Sequence, residues 1–273
     1  MEKNMKFAIC NELFADYPLI DGLAMAQEFG YRGIEIAPFT LAEKPTELSS
    51  QQRRQLRTAT EKMQLEVLGL HWLLAKTNGF HLTAADSSVR QKTADYLKAL
   101  AHLCADLGGS IMVLGSPQQR QLMPGVEYQT GFQRTLEVLE SILPTLEKNQ
   151  IVLAIEPLGP EEVNFINTAA EAVDLVKQLN SPNVGLHLDV KAMSTESLDF
   201  SQIIQNHSPW LVHFHANDPN RQGPGMGKVD YAPIADALKT VKYDRWISVE
   251  VFDYSPGIER LAGESIEYLQ RFF

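Results

Sequence analysis

The sequence predicts an α/β fold, a single (β/α)8 barrel spanning residues 1–273, and three observations predict it. Eight short apolar runs alternate with helix-length segments from one end of the chain to the other. Nearly continuous apolar strands alternating with helices are the mark of a parallel sheet covered by helices. Eight such units in 273 residues suit a closed barrel better than an open sheet. Each of the last four runs ends on a carboxylate or an imidazole, as expected where a barrel gathers its chemistry at the carboxyl ends of its strands.

The first run is KFAIC, Lys6–Cys10, followed by LIDGLAMAQEFG, which closes on Gly30 where a left-handed helix end is wanted. GIEIA, Gly33–Ala37, is the second strand, and EVLGLH, Glu66–His71, the third. The long helical stretch VRQKTADYLKALAHLCADLG ends at Gly108–Gly109. IMVLG, Ile111–Gly115, precedes VEYQTGFQRTLEVLESILPTLE. IVLAIE, VGLHLD, LVHFH and WISVE then end on Glu156, Asp189, His215 and Glu250, with the segment 255–273 as the last helix. Asn167-Thr168 and Ser197 are expected helix N-caps. A doubly wound sheet would need a glycine-rich phosphate loop after an early strand, and NELFADYP after the first strand is no such loop.

Composition narrows the function. The formal net charge of −10 disfavours a nucleic-acid partner, which requires clustered basic surface. No stretch approaches the roughly 18 to 20 apolar residues of a membrane span. MEKNMKFAIC lacks the apolar core and cleavage site of a signal peptide, so a cytoplasmic protein is expected. Cys10 and Cys104 have no metal-binding spacing and read as buried, inert thiols.

The four strand-end residues read together as one metal site. Each alone has a bland explanation, a rim charge or a core histidine. Four at equivalent strand ends do not, because an unpaired carboxylate among apolar residues is costly. Three carboxylates and an imidazole suit a single divalent ion, Mn²⁺, Mg²⁺, Co²⁺ or Zn²⁺. His187 and His213 precede Asp189 and His215 by two residues, so each shares its neighbour's strand face one layer deeper. Hydrogen-bonded core histidines are the expectation there, with orientation of the ligands as the functional alternative. His71 and Trp72 end the third strand as a candidate sugar-facing pair, and Glu35 is a weaker candidate for the same rim.

This ligand set and its order resemble the xylose isomerase-like superfamily of sugar isomerases and epimerases, closest to the D-tagatose 3-epimerase/D-psicose epimerase-like group. Glu156-Pro-Leu-Gly-Pro-Glu-Glu162 resembles that group's EPLNRxE segment. The stretch from His215 to Tyr231, HANDPNRQGPGMGKVDY, resembles its HxxDxxRxxPGxGxxDY loop. The likeness is at the level of motifs from about 151 to 251. It implies a ketose or keto-sugar as the small-molecule partner, Glu162 and Arg221 as substrate-binding residues, and Glu156 and Glu250 as the proton-transfer pair as well as ligands. Two departures stand out. Gly159-Pro160 replaces Asn-Arg, and Ala192 stands where the group has a substrate-contacting histidine, beside Lys191.

A base on one face and a Lewis acid on the oxygens are what proton abstraction next to a carbonyl needs. The expected reaction is epimerisation or aldose–ketose isomerisation through a cis-enediolate. The alternative is a metal-dependent dehydratase of the same superfamily that expels hydroxide from the same enolate. A trinuclear-zinc endonuclease would require further histidines, and a non-catalytic sugar-binding barrel would be expected to have lost a ligand. A homodimer is the expectation by analogy alone.

Overall fold

The computed structural model describes residues 5–273, so the reading of the first four lies outside the described residues. Eight parallel strands close into a ring: β1 (Lys6–Cys10), β2 (Gly33–Ile36), β3 (Glu66–Leu70), β4 (Ile111–Leu114), β5 (Val152–Ile155), β6 (Val184–Asp189), β7 (Leu211–Ala216) and β8 (Trp246–Val249). Pairing of β8 with β1, from Lys6 opposite Trp246 to Ile9 opposite Val249, completes the closure. The barrel predicted from the alternation is therefore the fold observed, and each predicted strand matches an observed one to within about a residue or two at its ends.

The helices form where the apolar spacing places them: α1 (Leu19–Glu28), α2 (Ser50–Lys62), α3 (Ser87–Leu107), α4 (Tyr128–Asn149), α5 (Ala169–Leu179), the single turn α6 (Val190–Met193), α7 (Phe200–His207), α8 (Tyr231–Thr240) and α9 (Ser265–Leu269). In α4, Phe132, Leu136, Leu139, Ile142 and Leu146 recur at helical spacing and are all buried. Each such side chain contributes about 1.5–3 kcal/mol when removed from water. Pro144 lies on the exposed face of the same helix, where the carbonyl it leaves unpaired can be solvated. Gly30 and Gly108 have φ of 95° and 91°, the left-handed helix ends expected of them. Thr168 caps α5 with a capping box to Glu171. The expected cap at Ser197 is corrected: Asp199 caps α7, its carboxylate accepting from the Gln202 amide.

Two strand pairings slip by a residue, between Ile34 and Glu35 on β2 and between Leu186 and His187 on β6. Such irregularities re-aim the side chains that follow them. The extra residues are Leu68 of β3 and Val212 of β7, and the side chains beside the slips on the facing strands, Glu35 and His187, sit in the polar layer beneath the barrel mouth.

Candidate metal and sugar site

Glu156 follows β5, Asp189 ends β6, His215 is the penultimate residue of β7, and Glu250 follows β8. All four are buried. Ligand atoms of Glu156, His187, Asp189 and His215 lie within 4.8 Å of one another. Glu250 joins through His215, whose Nδ1 donates to Glu250 Oε2 at 2.9 Å. Glu250 Oε1 in turn accepts from Trp72 Nε1 at 2.7 Å.

The layer below holds these groups in place. Glu35 is fully buried and accepts from His213 Nε2 at 2.6 Å and from His215 Nε2 at 3.2 Å. It is therefore not a rim residue, as its place on the second strand suggested, but the orienting carboxylate behind His215. A proton held on Nε2 by Glu35 leaves Nδ1 as the coordinating nitrogen, facing the carboxylates. Asn217 Nδ2 donates to Asp189 Oδ2, while Asp189 Oδ1 accepts from the Ala192 amide at 2.9 Å. Arg120, 1% exposed, donates from Nη1 to the Glu156 carbonyl at 2.6 Å and so holds the chain at that ligand. Burial pulls its guanidinium down to about 10.

His213 is the hydrogen-bonded core histidine expected. His187 is packed but not hydrogen-bonded. Neither of its ring nitrogens has a partner among the described residues, and Nε2 stops 3.9 Å from Glu156 Oε1. Burial, then the neighbouring His215 and His213, hold it neutral. His71 is corrected in the same way. Fully buried, it makes a 2.6 Å contact from Nε2 to Glu12 Oε2 and lines no part of the cleft, whereas its neighbour Trp72 does. Cys10 lies 4.0 Å from His215 Nε2, and burial pushes its thiol up to about 11. Cys104 is likewise buried and pushed up to about 12, so both are inert as expected.

The electrostatics test whether a cation fits. Burial, followed by the charges of Glu250 and Asp189, raises Glu156 to about 8. Burial also raises Asp189. Burial acts upward on Glu250 too, but the His215 charge and hydrogen bond outweigh it and keep Glu250 ionised. His215 is held well above its ordinary value because Glu35 and Glu250 outweigh its burial. Without a metal ion, protons on Glu156 and His215 do the neutralising. A divalent ion would replace them, and the carboxylate and imidazole donors suit one.

That substitution has a consequence for stability. Glu156 keeps its proton in the folded, metal-free protein from its ordinary 4.5 up to about 8, where the unfolded chain has lost it. Stability then falls as pH rises through that window, since the folded state binds more protons. Asp189 and His215, also raised, act in the same sense. The rise in Tm on adding Mn²⁺ is expected to grow between about pH 6 and about pH 8.5. Thermal melts with and without the ion across that range check this, and an increment that shrank with pH would count against it.

Gly115 lets the Glu156 carboxylate in. A Cβ at this position would overlap Glu156 Oε2. Gly115→Ala is expected to displace that carboxylate and weaken Mn²⁺ binding by roughly 10- to 100-fold while the barrel still folds, because the methyl meets only the end of a side chain. Chelator competition, with a melting curve as control, reads both.

Above these groups opens a cleft of about 370 Å³ whose lining includes Trp72, Glu156, Glu162, Lys191, Arg221, Glu250 and Phe252. Trp72 and Arg221 hold φ of 50° and 72° in the left-handed region. For residues other than glycine this backbone costs about 1 kcal/mol or more, and such outliers cluster at functional sites. Here it aims the Trp72 indole at Glu250. A larger groove of about 900 Å³ lies along the loops after β6 and β7, but none of the four strand-end residues lines it.

A family model for the xylose isomerase-like TIM barrel matches residues 23–272. The chain belongs to that family. Within it, the chain is 26% identical over 266 residues to a probable ketose 3-epimerase of Synechocystis, covering 91% of this chain and 88% of that one. It is 27% identical over 176 residues to a D-psicose 3-epimerase of Ruminiclostridium cellulolyticum, covering 63% of this chain and 59% of that one. A crystal structure of the D-psicose 3-epimerase of Clostridium cellulolyticum H10 with D-tagatose superposes with a TM-score of 0.87 at 20% identity, over 98% of this chain and 99% of that one. The fold is thus shared closely by proteins whose sequences have diverged widely. No described helix is long and apolar enough to cross a membrane.

Glu35, Asn217, Arg120 and Gly115 carried little signal in the sequence. Glu35 stood out only as a carboxylate inside GIEIA, and Gly115 only as a glycine ending IMVLG. Ala192 is buried and outside the cleft, whereas Lys191 lines it.

Proposed function

We propose that the protein is a divalent-metal-dependent ketose epimerase, a single catalytic domain over residues 1–273 that moves a proton next to a sugar carbonyl through a cis-enediolate. One observation carries this reading. Glu156 and Glu250, from β5 and β8, reach the same cleft from different parts of the ring, so that a substrate held between them meets a carboxylate on each side. Glu250 takes the substrate proton, and Glu156 returns one from its own side. The epimerase names of the relatives favour return of a proton over loss of hydroxide.

Glu156, Asp189, His215 and Glu250 would hold the ion, Mn²⁺ by preference. When bound it supplies Lewis acidity to the substrate oxygens. The chain's own residues do the rest. Trp72 fixes the Glu250 carboxylate by a hydrogen bond from Nε1 to Oε1. Trp72 and Phe252, with ring planes 18° apart, form an apolar wall for a sugar face. Glu162 and Arg221, which line the same cleft, bind hydroxyl and carbonyl oxygens. A cytoplasmic homodimer is the working expectation, read by sedimentation.

The test is incubation of Mn²⁺-loaded protein in D₂O with D-psicose, D-fructose, D-tagatose and L-ribulose and with their phosphates. NMR should report a C3 epimer together with deuterium at the same carbon, and EDTA should abolish both. Mn²⁺ bound at the four side chains without any epimer or exchange would sink the reading.

A further inference from the structure

Lys191 lines the cleft without belonging to the proposed ligand set or the proton-transfer pair, although its charge is felt at Asp189 and Glu156. It sits in α6, the turn capped by Asp189, with its backbone amide donating to Asn217 Oδ1 at 2.8 Å. The same asparagine holds Asp189, so the lysine backbone is fixed to the ligand framework. Its side chain, 13% exposed, runs into the cleft and places Nζ 2.6 Å from Glu162 Oε2 and 4.9 Å from the Phe252 ring centroid. The Arg221 guanidinium lies 5.9 Å from the same centroid. An ammonium has three donors, and Glu162 takes only one. The other two have no acceptor among the described residues.

Chemically the pair is narrow in what it accepts. Lys191 can only donate, and an ionised Glu162 can only accept. Side by side, they match a group that does both from one atom: a hydroxyl giving its proton to Glu162 and a lone pair to Lys191. A methyl or hydrogen in that place would leave the remaining Lys191 donors and the second Glu162 oxygen unmet by the substrate, a mismatch that discriminates between substrates.

We propose that Lys191, paired with Glu162, is the specificity-determining contact of the cleft, and that together they demand one particular hydroxyl of the ketose on the β5–β6 side. The proposal rests on the epimerase reading. Lys191 acts by binding substrate, not by holding the fold.

The experiment compares wild type, Lys191→Met and Lys191→Arg, all loaded with Mn²⁺. The probes are the best-used ketose of the panel above and its analogues lacking single hydroxyls, at C1 and at the far end of the chain. Lys191→Met is expected to lose about 10- to 100-fold in kcat/KM on the parent ketose, from a charged hydrogen bond removed. Its Mn²⁺ affinity and Tm should match wild type, and Lys191→Arg should recover part of the loss. On one deoxy analogue, and only one, wild type and Lys191→Met should perform alike, because the group they differ in reading is gone. Wild type acting on no ketose would overturn the epimerase reading and this inference with it. An active wild type with an equally active Lys191→Met would overturn the inference alone. So would a loss spread evenly over every analogue, or one accompanied by lost metal or stability, since either marks a structural role.

Discussion

The Glu250→Gln protein, loaded with Mn²⁺ and given a ketose in D₂O, is expected to lose exchange of the substrate proton by roughly 10²- to 10⁴-fold, the usual worth of a positioned general base. In the metal-free protein the wild-type carboxylate accepts one hydrogen bond on each oxygen, from Trp72 Nε1 at 2.7 Å and from His215 Nδ1 at 2.9 Å, the second giving way when Nδ1 takes the ion. It is kept ionised despite its burial, because the His215 charge and hydrogen bond outweigh the loss of water. A carboxamide has the same shape but no charge to receive a proton. Its NH₂ would also face one of those two donors, breaking a hydrogen bond that the carboxylate makes. Some metal affinity should survive, since Glu156, Asp189 and His215 remain. Metal content and exchange rate therefore have to be measured on the same sample. Deuterium entering substrate at the wild-type rate would show that Glu250 is not the base.

Glu35→Leu is expected to be the most destabilising single change near the site. Glu35 is fully enclosed and shared between two imidazoles, at 2.6 Å from His213 and 3.2 Å from His215. Removing one partner of a buried charge pair costs about 3–5 kcal/mol, since the other is left without compensation. Denaturant unfolding of the metal-free variant near neutral pH should show that loss. Glu35 is held well below its ordinary value, where His213 and His215 outweigh burial. Its contribution is thus present above the ordinary carboxylate range and is lost as pH falls through its lowered folded value, so the penalty of the variant should shrink in strong acid. The milder Glu35→Gln separates stability from metal binding. An amide oxygen can accept from only part of the pair, which frees the His215 ring, and Mn²⁺ affinity is expected to fall roughly 10- to 100-fold. Unchanged affinity in Glu35→Gln would mean that His215 is oriented by packing alone.

The barrel and its rim were legible because both are written in one dimension. Runs such as IMVLG and the IVLAI before Glu156 are apolar on both faces, as only a strand covered inside and out can be, and eight short strand runs alternate with helical spacing. A parallel barrel then sends every strand end to the same rim, so Glu156, Asp189, His215 and Glu250 meet without any knowledge of distances. His187 and His213 followed from strand periodicity by the same logic.

What the tertiary structure decided depends on neighbours that spacing does not encode. Glu35 and His213 are 178 residues apart and meet across the barrel interior, with a register slip just before Glu35. His71 and Trp72 are consecutive, yet a left-handed backbone at Trp72 sends the indole to Glu250 while the imidazole stays below with Glu12. Lys191 and Ala192 are consecutive too, and one turn of helix capped by Asp189 puts the lysine in the cleft and buries the alanine. In each case the determinant is a local dihedral or a contact closed through space by the completed ring. The sequence by itself therefore determined where the chemistry gathers, through periodicity and strand polarity. Only the closed barrel decided which side chains reach the substrate and which stand behind the metal ligands, because that depends on registers and rotamers fixed by packing.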